Sequence, residues 1–574
     1  MALSSPDFTL VQGPPGTGKT TFIAELIVQL IAGKPGARVL LSSQTHVAVD
    51  HAALKVAELS DLRLVRVGAA EKIAEDAQAL TVPAQLRRWH EDAQTRAKSW
   101  LDGWGQQRGI SPEALHAYAT AAELEVIEQS ITRLRARLVE LDKDEERLLD
   151  LLTDPDRPAP SATSTGEMVS DAEDELGAVQ DEAESRRREL TTLQQNRERQ
   201  QQSLREQLDR TVIPPAAELE AVLGERFPVT LEDLDAYRAL VKLQDEWLVR
   251  FGQGEGFTEA LLSSAQVVAG TCVGLAGALD DQEPFDLAIV DEVSKATPTE
   301  ALVPMVRSRR WVLVGDERQL PPYVDGELID DGGLEGHGLV RADLEETLFS
   351  QLGGTLPEDR RLVLSEQHRM LRPIGQLISH CFYDDGLRSA RGLQSDLKCL
   401  GETFEAPVTW YSTTRLPGRR EKQIGTTYWN ESELRMIHKL VNRLQQRAAA
   451  NDEHLDVAVI SGYGEQARRV QRDLRPHDPK WSHLTIDVHP VDSFQGQESD
   501  TVIYSTTRSN AENDLGFLRS ARRINVAMSR ARDALIIVGD HRFCRHARGG
   551  DNPFAKVLEH IEGAEGCKLE EPRK

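Results

Sequence analysis

The chain has 574 residues, of which 40% are hydrophobic and 28% charged, and its formal net charge is −25. This length allows about three to four domains with ample buried cores, and the composition is ordinary for a globular protein. The charge argues against a basic protein that coats nucleic acid, although it leaves room for a confined basic channel.

The sequence indicates neither a membrane-spanning helix nor a disulfide framework. It contains no run of 18 apolar residues, and its first residues lack the basic flank and long apolar core of a signal peptide. The five cysteines are scattered and form no Cys-x-x-Cys pair, which argues against a zinc module and is typical of a reducing compartment. We therefore expect a cytoplasmic protein with no membrane partner.

The most informative stretch runs from Gly13 to Thr20 and reads Gly-Pro-Pro-Gly-Thr-Gly-Lys-Thr. An apolar run at 8–11 precedes it and a helical pattern at 21–31 follows, which is the strand–turn–helix context of a phosphate-binding loop. Glycines let backbone N–H groups curl around phosphate oxygens, and the helix N-terminus adds partial positive charge. We expect Lys19 to reach the β- and γ-phosphates and the Thr20 hydroxyl to bind Mg²⁺. The expected nucleotide-binding residues of this segment are Gly13, Pro14, Pro15, Gly16, Thr17, Gly18, Lys19, Thr20 and Thr21.

Two further apolar runs end in residues suited to the same chemistry. Residues 285–290 lead into Asp291 and Glu292, the pattern of a Walker B strand. Asp291 is expected to hold Mg²⁺, and Glu292 to polarise the attacking water as a general base. The run at 311–322 contains Gln319, which is placed to sense the γ-phosphate or the water. Because such strands alternate with helices, we predict a parallel α/β sheet.

Small polar residues also follow the strands predicted at 38–41 and 265–270. Such residues at the carboxyl ends of parallel strands sit where these sheets bind ligands, and they can hold a nucleic-acid backbone. An ordinary polar turn between a strand and a helix is the alternative.

From about Gly68 to Gly256 the sequence shows long helical patterns without strand signals. Apolar residues at alternating spacings of three and four form two heptad seams. These are Ile127, Ile131, Leu134, Leu138, Leu141, Leu148 and Leu152, then Leu176, Val179, Ala183, Leu190, Leu193 and Leu204. Because residues 153–170 between them are rich in Pro, Ser, Thr and Asp, we predict an antiparallel coiled-coil hairpin with its tip there. Its acidic surface is either a solvated face or a prong that contacts a protein partner.

A second α/β unit is predicted beyond residue 364. The runs that predict its strands are 457–461, 502–506 and 534–539. Asn430, followed three residues later by Glu433, predicts a helix start. Polar blocks at 492–498 and 525–532 contain further candidates. An arginine there is either solvated or, at a domain interface, stabilises charge on the transferred phosphoryl group.

Together these blocks resemble superfamily 1 helicases, in particular the 5′-to-3′ branch that includes the nonsense-mediated-decay helicase and senataxin. The blocks occur in the family's order: 13–20, 42–50, 267–274, 291–292, 315–322, 367–373, 491–500 and 525–532. The resemblance implies two RecA-like P-loop domains that clamp ATP and Mg²⁺ between them while single-stranded DNA or RNA crosses both. It implies an ATP-dependent helicase or translocase that moves 5′ to 3′. The alternative is a nucleotide-gated nucleic-acid clamp or scaffold that recruits an effector through the coiled-coil insertion, without unwinding.

The resemblance also assigns residues. Gln319 is similar to the γ-phosphate sensor, and Arg369 and Arg530 to the arginines that the second domain presents to the γ-phosphate. With Lys19 and Glu292, these make up the expected catalytic set. The expected ribose or phosphate contacts are Gly496 and Glu498, and the expected nucleic-acid contacts are Ser43, Thr45, Thr271 and Ser493.

The sequence departs from the family in three places. Lys295 stands where the family usually has glutamine, and His368 where it usually has tyrosine. The family has an adenine-reading segment upstream, whereas this chain begins a dozen residues before the phosphate loop, so we expect either a fragment or misplaced start, or a loss of base discrimination. The predicted divisions are 1–67 and 263–345 for the first RecA-like domain, 68–262 for the insertion, 346–545 for the second domain and 546–574 for a C-terminal tail.

Overall fold

A computed structural model describes residues 2–153, 165–250, 255–279, 283–322, 345–493, 497–548 and 552–572. The chain divides into two compact units. One contains residues 1–85 and 258–574, and the other contains residues 86–257.

The described helices and strands are numbered here in chain order. The strands are β1 (Phe8–Gln12), β2 (Val39–Ser43), β3 (Leu64–Arg66), β4 (Val267–Thr271), β5 (Leu287–Asp291), β6 (Trp311–Gly315), β7 (Arg361–Val363), β8 (Glu366–Gln367), β9 (Arg388–Ser389), β10 (Val408–Ser412), β11 (Lys422–Ile424), β12 (Thr427–Trp429), β13 (Leu455–Ser461), β14 (Leu484–Pro490), β15 (Ser499–Ser505), β16 (Ala531–Gly539) and β17 (Cys567–Glu570). The α-helices are α1 (Lys19–Gly33), α2 (His46–Leu59), α3 (Val82–Gln106), α4 (Pro112–Thr153), α5 (Thr165–Leu208), α6 (Ala216–Arg226), α7 (Leu231–Arg250), α8 (Glu255–Ser264), α9 (Pro298–Met305), α10 (Leu348–Thr355), α11 (Arg372–Phe382), α12 (Lys398–Thr403), α13 (Glu431–Asn451), α14 (Gly464–Leu474), α15 (Ala521–Met528), α16 (His541–His546) and α17 (Pro553–Gly563).

The first lobe of the larger unit is built on a seven-stranded sheet in the order β3-β4-β2-β5-β6-β1-β7. All neighbouring strands are parallel. Every residue of β2 and β5 is buried, as expected where helices cover both faces of a parallel sheet. Helices α1 and α2 pack on one face, and α9 and α10 on the other. The carboxyl ends of β1, β5 and β6 therefore open at one edge of the sheet.

The second lobe is a six-stranded parallel sheet in the order β14-β13-β15-β16-β10-β17. Helices α11, α15 and α17 pack on one face, and α12, α13 and α14 on the other. Two parallel sheets with helices on both faces confirm the predicted α/β class with two RecA-like domains.

One prediction is wrong in this lobe: residues 546–574 are not a tail. They supply α17 and the edge strand β17, which pairs with β10. Apolar side chains three and four residues apart in α17, namely Phe554, Val557, Leu558 and Ile561, are buried in the lobe's core, and their burial holds the segment in place.

The described part of the smaller unit, which spans residues 86–257, is helical and has its own apolar core. Helices α4 and α5 run antiparallel, as the hydrogen bonds between them show. Gln200 donates to Glu123 at one end of the pair, and Gln180 donates to Glu145 towards the other. Seam residues Leu138 and Leu141 pack with Ala183. The coiled-coil description itself stays a prediction, and the predicted tip falls largely on residues 154–164, outside the described residues.

The smaller unit begins later than the predicted insertion. Residues 68–85 belong to the larger unit, because the turns there bond to the first lobe. The backbone N–H of Ala74 donates to the Asp50 carboxylate (2.9 Å), and Ala77 is buried. Over the described residues, no helix is long and apolar enough to cross a bilayer.

Candidate nucleotide site

The glycine-rich loop lies between β1 and α1. Its first N–H, from Gly13, donates to the carbonyl of Gly315 at the end of β6 (2.9 Å). Lys19 folds back over Gly13 and donates to its carbonyl (2.8 Å), and a Cβ at Gly13 would lie 2.3 Å from the Lys19 side chain. Gly16 has a φ of +73° and Gly18 of +79°, the left-handed region that glycine occupies without strain. The sequence at these positions therefore fixes the curl of the loop.

Most of the predicted nucleotide residues surround one cavity of about 150 Å³ at the mouth of this loop. Its lining is Pro14, Pro15, Gly16, Thr17, Gly18, Lys19, Thr20, Ala48, His51, Asp291, Glu292, Gln319, Arg369 and Arg530. Gly13 lies behind Lys19, and Thr21 lines a neighbouring cavity of about 670 Å³ that also contacts His368. Sequence reasoning did not find Ala48 and His51, because α2 carries no recognised nucleotide motif.

The two predicted carboxylates stand at the end of β5. Asp291 is buried, and it accepts a hydrogen bond from the N–H of Glu292 (2.9 Å). Burial and the neighbouring charge of Glu292 raise the pKa of Asp291 to about 7; a bound cation would favour its ionised form. Thr20 lines the same cavity. One hydroxyl and one carboxylate suit Mg²⁺, which keeps several waters and takes its other ligands from phosphate.

Glu292 has an unusual backbone and two lysine neighbours. Its φ is +52°, a left-handed conformation that is strained for a residue with a side chain. Its Oε1 lies 3.6 Å from Lys19 Nζ and its Oε2 lies 3.3 Å from Lys295 Nζ. Burial alone would raise the pKa of Glu292, but Lys19, Lys295 and Arg530 outweigh it and the pKa is lowered. Glu292 is therefore held in its charged form.

The second lobe contributes both predicted arginines to the cavity. Arg530 is buried, and its Nη2 donates to Gln319 Oε1 (3.2 Å). Burial and repulsion from Arg369 lower the pKa of Arg530 to about 10. Arg369 pairs with Glu498. It also lies close to the loop, because a Cβ added to Gly16 would be 2.6 Å from the Cβ of Arg369. The structure thus brings together residues separated by more than 300 positions in the sequence.

A buried hydrogen-bond network around Asp316 joins the two lobes. Asp316 accepts from Gln12 (2.7 Å) and Gln319 (2.6 Å) of the first lobe and from the Tyr383 hydroxyl (2.6 Å) of the second. Asn525 donates to the Tyr383 oxygen (2.8 Å). Burial and the Asp316 charge raise the pKa of Tyr383 well above its usual range, which keeps its hydroxyl a donor.

The four predicted nucleic-acid contacts differ in accessibility. Ser43 is fully buried, which does not favour a contact there. Thr45 and Thr271 are partly exposed beside the ends of β2 and β4, and Ser493 is exposed in the second lobe. Thr45 caps α2 by accepting from the N–H of Ala48 (3.4 Å). Gly496 lies outside the described residues.

The loop, the paired carboxylates and the arginines of a second RecA-like lobe define the class of P-loop proteins to which superfamily 1 helicases belong. The chain belongs to the AAA-domain family: one family model of that description matches residues 1–327, and a second matches 344–542. The resemblance to superfamily 1 helicases is confirmed.

Three relatives illustrate the similarity. The chain is 29% identical over 294 residues to a regulator of nonsense transcripts 1 homolog of Neurospora crassa, covering 50% of this chain and 25% of that protein. It is 29% identical over 263 residues to the probable helicase senataxin of Mus musculus, covering 45% of this chain and 10% of that protein. An uncharacterized ATP-dependent helicase of Methanocaldococcus jannaschii is 23% identical over 577 residues, covering 98% of this chain and 69% of the relative. The chain thus spans a quarter or less of the first two relatives.

Proposed function

We propose that this protein is an ATP-dependent helicase or translocase that moves on single-stranded DNA or RNA, in the 5′-to-3′ direction. The observation that carries the proposal is the position of Arg369 and Arg530. Both belong to the second lobe, and both line the cavity of the phosphate loop together with Glu292. Hydrolysis that needs charge from two lobes links nucleotide state to lobe closure.

The proposed roles follow from this geometry. Lys19 binds the β- and γ-phosphates, and Thr20 and Asp291 would hold Mg²⁺, which neutralises charge on the phosphates. Glu292 orients and polarises the attacking water. Gln319 senses the γ-phosphate, and its contact with Arg530 joins the sensor to the second lobe. Glu498 holds Arg369 in place.

One helix offers a route from the nucleotide to the nucleic acid. Thr45 caps the N-terminus of α2, and Ala48 and His51 one turn further on line the phosphate cavity. A shift of α2 on nucleotide binding would therefore also move Thr45, a proposed contact with the nucleic-acid strand. Thr271 and Ser493 are the other proposed contacts.

The test is ATP hydrolysis by the full chain, alone and with DNA and RNA homopolymers. We expect at least one polymer to stimulate turnover, and Lys19→Ala to abolish it. Displacement of a duplex with a 5′ or a 3′ single-stranded overhang then tests the direction. Failure of every polymer to stimulate hydrolysis would contradict the proposal.

A second candidate is a nucleotide-gated clamp or scaffold that recruits a protein through the helical unit. It is favoured by that unit's separate core and by exposed apolar side chains such as Val126, Leu243 and Trp247. Deletion of residues 127–208 separates the two functions. Retained translocation with lost partner binding favours a motor with an attached recruiting unit, whereas lost translocation makes the hairpin part of the motor.

The cytoplasmic location stays a prediction.

A further inference from the structure

Lys295 is a buried cation beside the proposed general base. Its side chain is 4% exposed, and its ammonium forms an ion pair with Glu292. The nearest acid is Glu292, at 3.3 Å from Oε2. Burying an ammonium is costly unless it is paired, and the carboxylate that pairs with Lys295 is the proposed general base itself.

The local backbone places Lys295 next to Glu292. The N–H of Lys295 donates to the carbonyl of Glu292 (3.0 Å), which closes a tight turn over residues 293–295. This turn brings the Lys295 ammonium to 3.3 Å from the Glu292 carboxylate. Glu292 lines the phosphate cavity, whereas Lys295 is not among its lining residues.

The two lysines that hold Glu292 are not equivalent. Lys19 lines the cavity and also donates to the Gly13 carbonyl, so a triphosphate in the loop would draw its ammonium away. Lys295 does not line the cavity, so a triphosphate bound there would not compete with Glu292 for its ammonium. After nucleotide binding, Lys295 is therefore the first-lobe cation that still holds the carboxylate.

We propose that Lys295 is a positioning residue for hydrolysis, which holds the Glu292 carboxylate while Lys19 binds phosphate. This inference rests on the proposed function. It goes beyond the family pattern, because the residue usual at this position is an uncharged glutamine. It predicts an effect on turnover and not on nucleotide affinity.

The test compares Lys295→Met, which removes the donor, with Lys295→Gln, which keeps a donor without the charge. We expect Lys295→Met to lower kcat by about tenfold to a hundredfold, the scale of a misplaced catalytic group. The KM for ATP and the affinity for a non-hydrolysable ATP analogue should stay within about twofold, which also shows that the site is folded. Lys295→Gln should recover most of the lost kcat. Lys34→Met is the matched control, since Lys34 is exposed and pairs with Asp286 away from the cavity.

Three results would overturn the inference: an unchanged kcat in Lys295→Met, a loss of analogue affinity that parallels the loss of kcat, or a glutamine variant as inactive as the methionine variant. The rate of ATP hydrolysis by the wild-type chain distinguishes a failure of this inference from a failure of the proposed function. A wild-type chain that does not hydrolyse ATP with any polymer refutes the function itself, whereas normal wild-type turnover with any of the three results refutes only the role of Lys295.

Discussion

The buried ion pair between Asp50 and Arg66 gives the sharpest stability prediction. Their side chains are 1% and 0% exposed, and Arg66 Nε donates to Asp50 Oδ1 at 2.7 Å. Asp50 also accepts from the N–H of Ala74 (2.9 Å), and Arg66 lies 3.2 Å from His46 Nδ1. The pair anchors α2, the helix that faces the phosphate cavity.

The magnitude follows from what each substitution leaves behind. Asp50→Ala leaves a buried guanidinium without its anion, and Arg66→Met leaves a buried carboxylate. Each should destabilise the first lobe by about 3–5 kcal/mol. The double variant leaves neither charge, so its cost should fall well below the sum, with a coupling energy of about 2 kcal/mol or more.

Hydrogen–deuterium exchange of α2, measured by mass spectrometry, reports this local stability without assuming a single unfolding step. Lys55→Met is the control on the same helix, because the half-buried Lys55 side chain forms an ion pair with the exposed Glu58; it should change stability by less than about 0.5 kcal/mol. Single variants that cost under about 1 kcal/mol, or a double variant that costs the full sum, would refute the reasoning.

Three further predictions concern catalysis and pH. Arg530→Lys should lower nucleic-acid-stimulated kcat by about 10³ because lysine lacks the planar fork; a loss under about tenfold in the steady-state assay would contradict this role. Glu292→Gln should lower hydrolysis by about 10² or more while ATP binding, measured by titration, persists; near-normal turnover would show that another group polarises the water. Burial raises the pKa of Glu433 to about 8 from 4.5, so its contribution to stability is full below about pH 4.5 and is lost as pH rises through about 8. Glu433→Gln should therefore lose less melting temperature than the wild type between about pH 6 and pH 9, and parallel curves would disprove the assignment.

The parts of the site that sequence analysis predicts are those whose chemistry dictates residue type and spacing together. Lys19 and Thr20 must follow a glycine turn, and Asp291 and Glu292 must end a buried strand, so short blocks identify them. The strands that carry these blocks were predicted for the same reason. Of the strands without a motif, β13 was predicted from its apolar run, whereas β10 and β14 were not.

Other features depend on contacts that no local pattern encodes. Tyr383 is a single tyrosine after a helix, and only the fold brings it to Asp316. Glu433 is another example: Asn430 does cap α13, by accepting from the Glu433 N–H (3.3 Å). The Glu433 side chain does not reach back to the cap, because it accepts from Ser505 (2.6 Å) and the N–H of Thr507 (2.8 Å) in the sheet. The Asn430–Glu433 spacing therefore predicted where the helix begins, but it did not predict that the Glu433 carboxyl is buried in the lobe.

The net charge of −25 contrasts with the cations of the nucleotide site. Lys19, Arg369 and Arg530 line the cavity with Glu292, and Lys295 pairs with Glu292 from outside the lining. Burial lowers the pKa of Lys295 to about 8, and Arg530 is lowered by burial and by Arg369, so these cations are held together at a cost. A triphosphate would place further anionic oxygens beside the three cations that line the cavity, Lys19, Arg369 and Arg530. Because Lys19 belongs to the first lobe and the two arginines to the second, such an anion would also stabilise the contact between the lobes. We infer that nucleotide binding and contact between the two lobes are coupled equilibria. A nucleic acid that contacted both lobes would therefore change nucleotide affinity without touching the nucleotide.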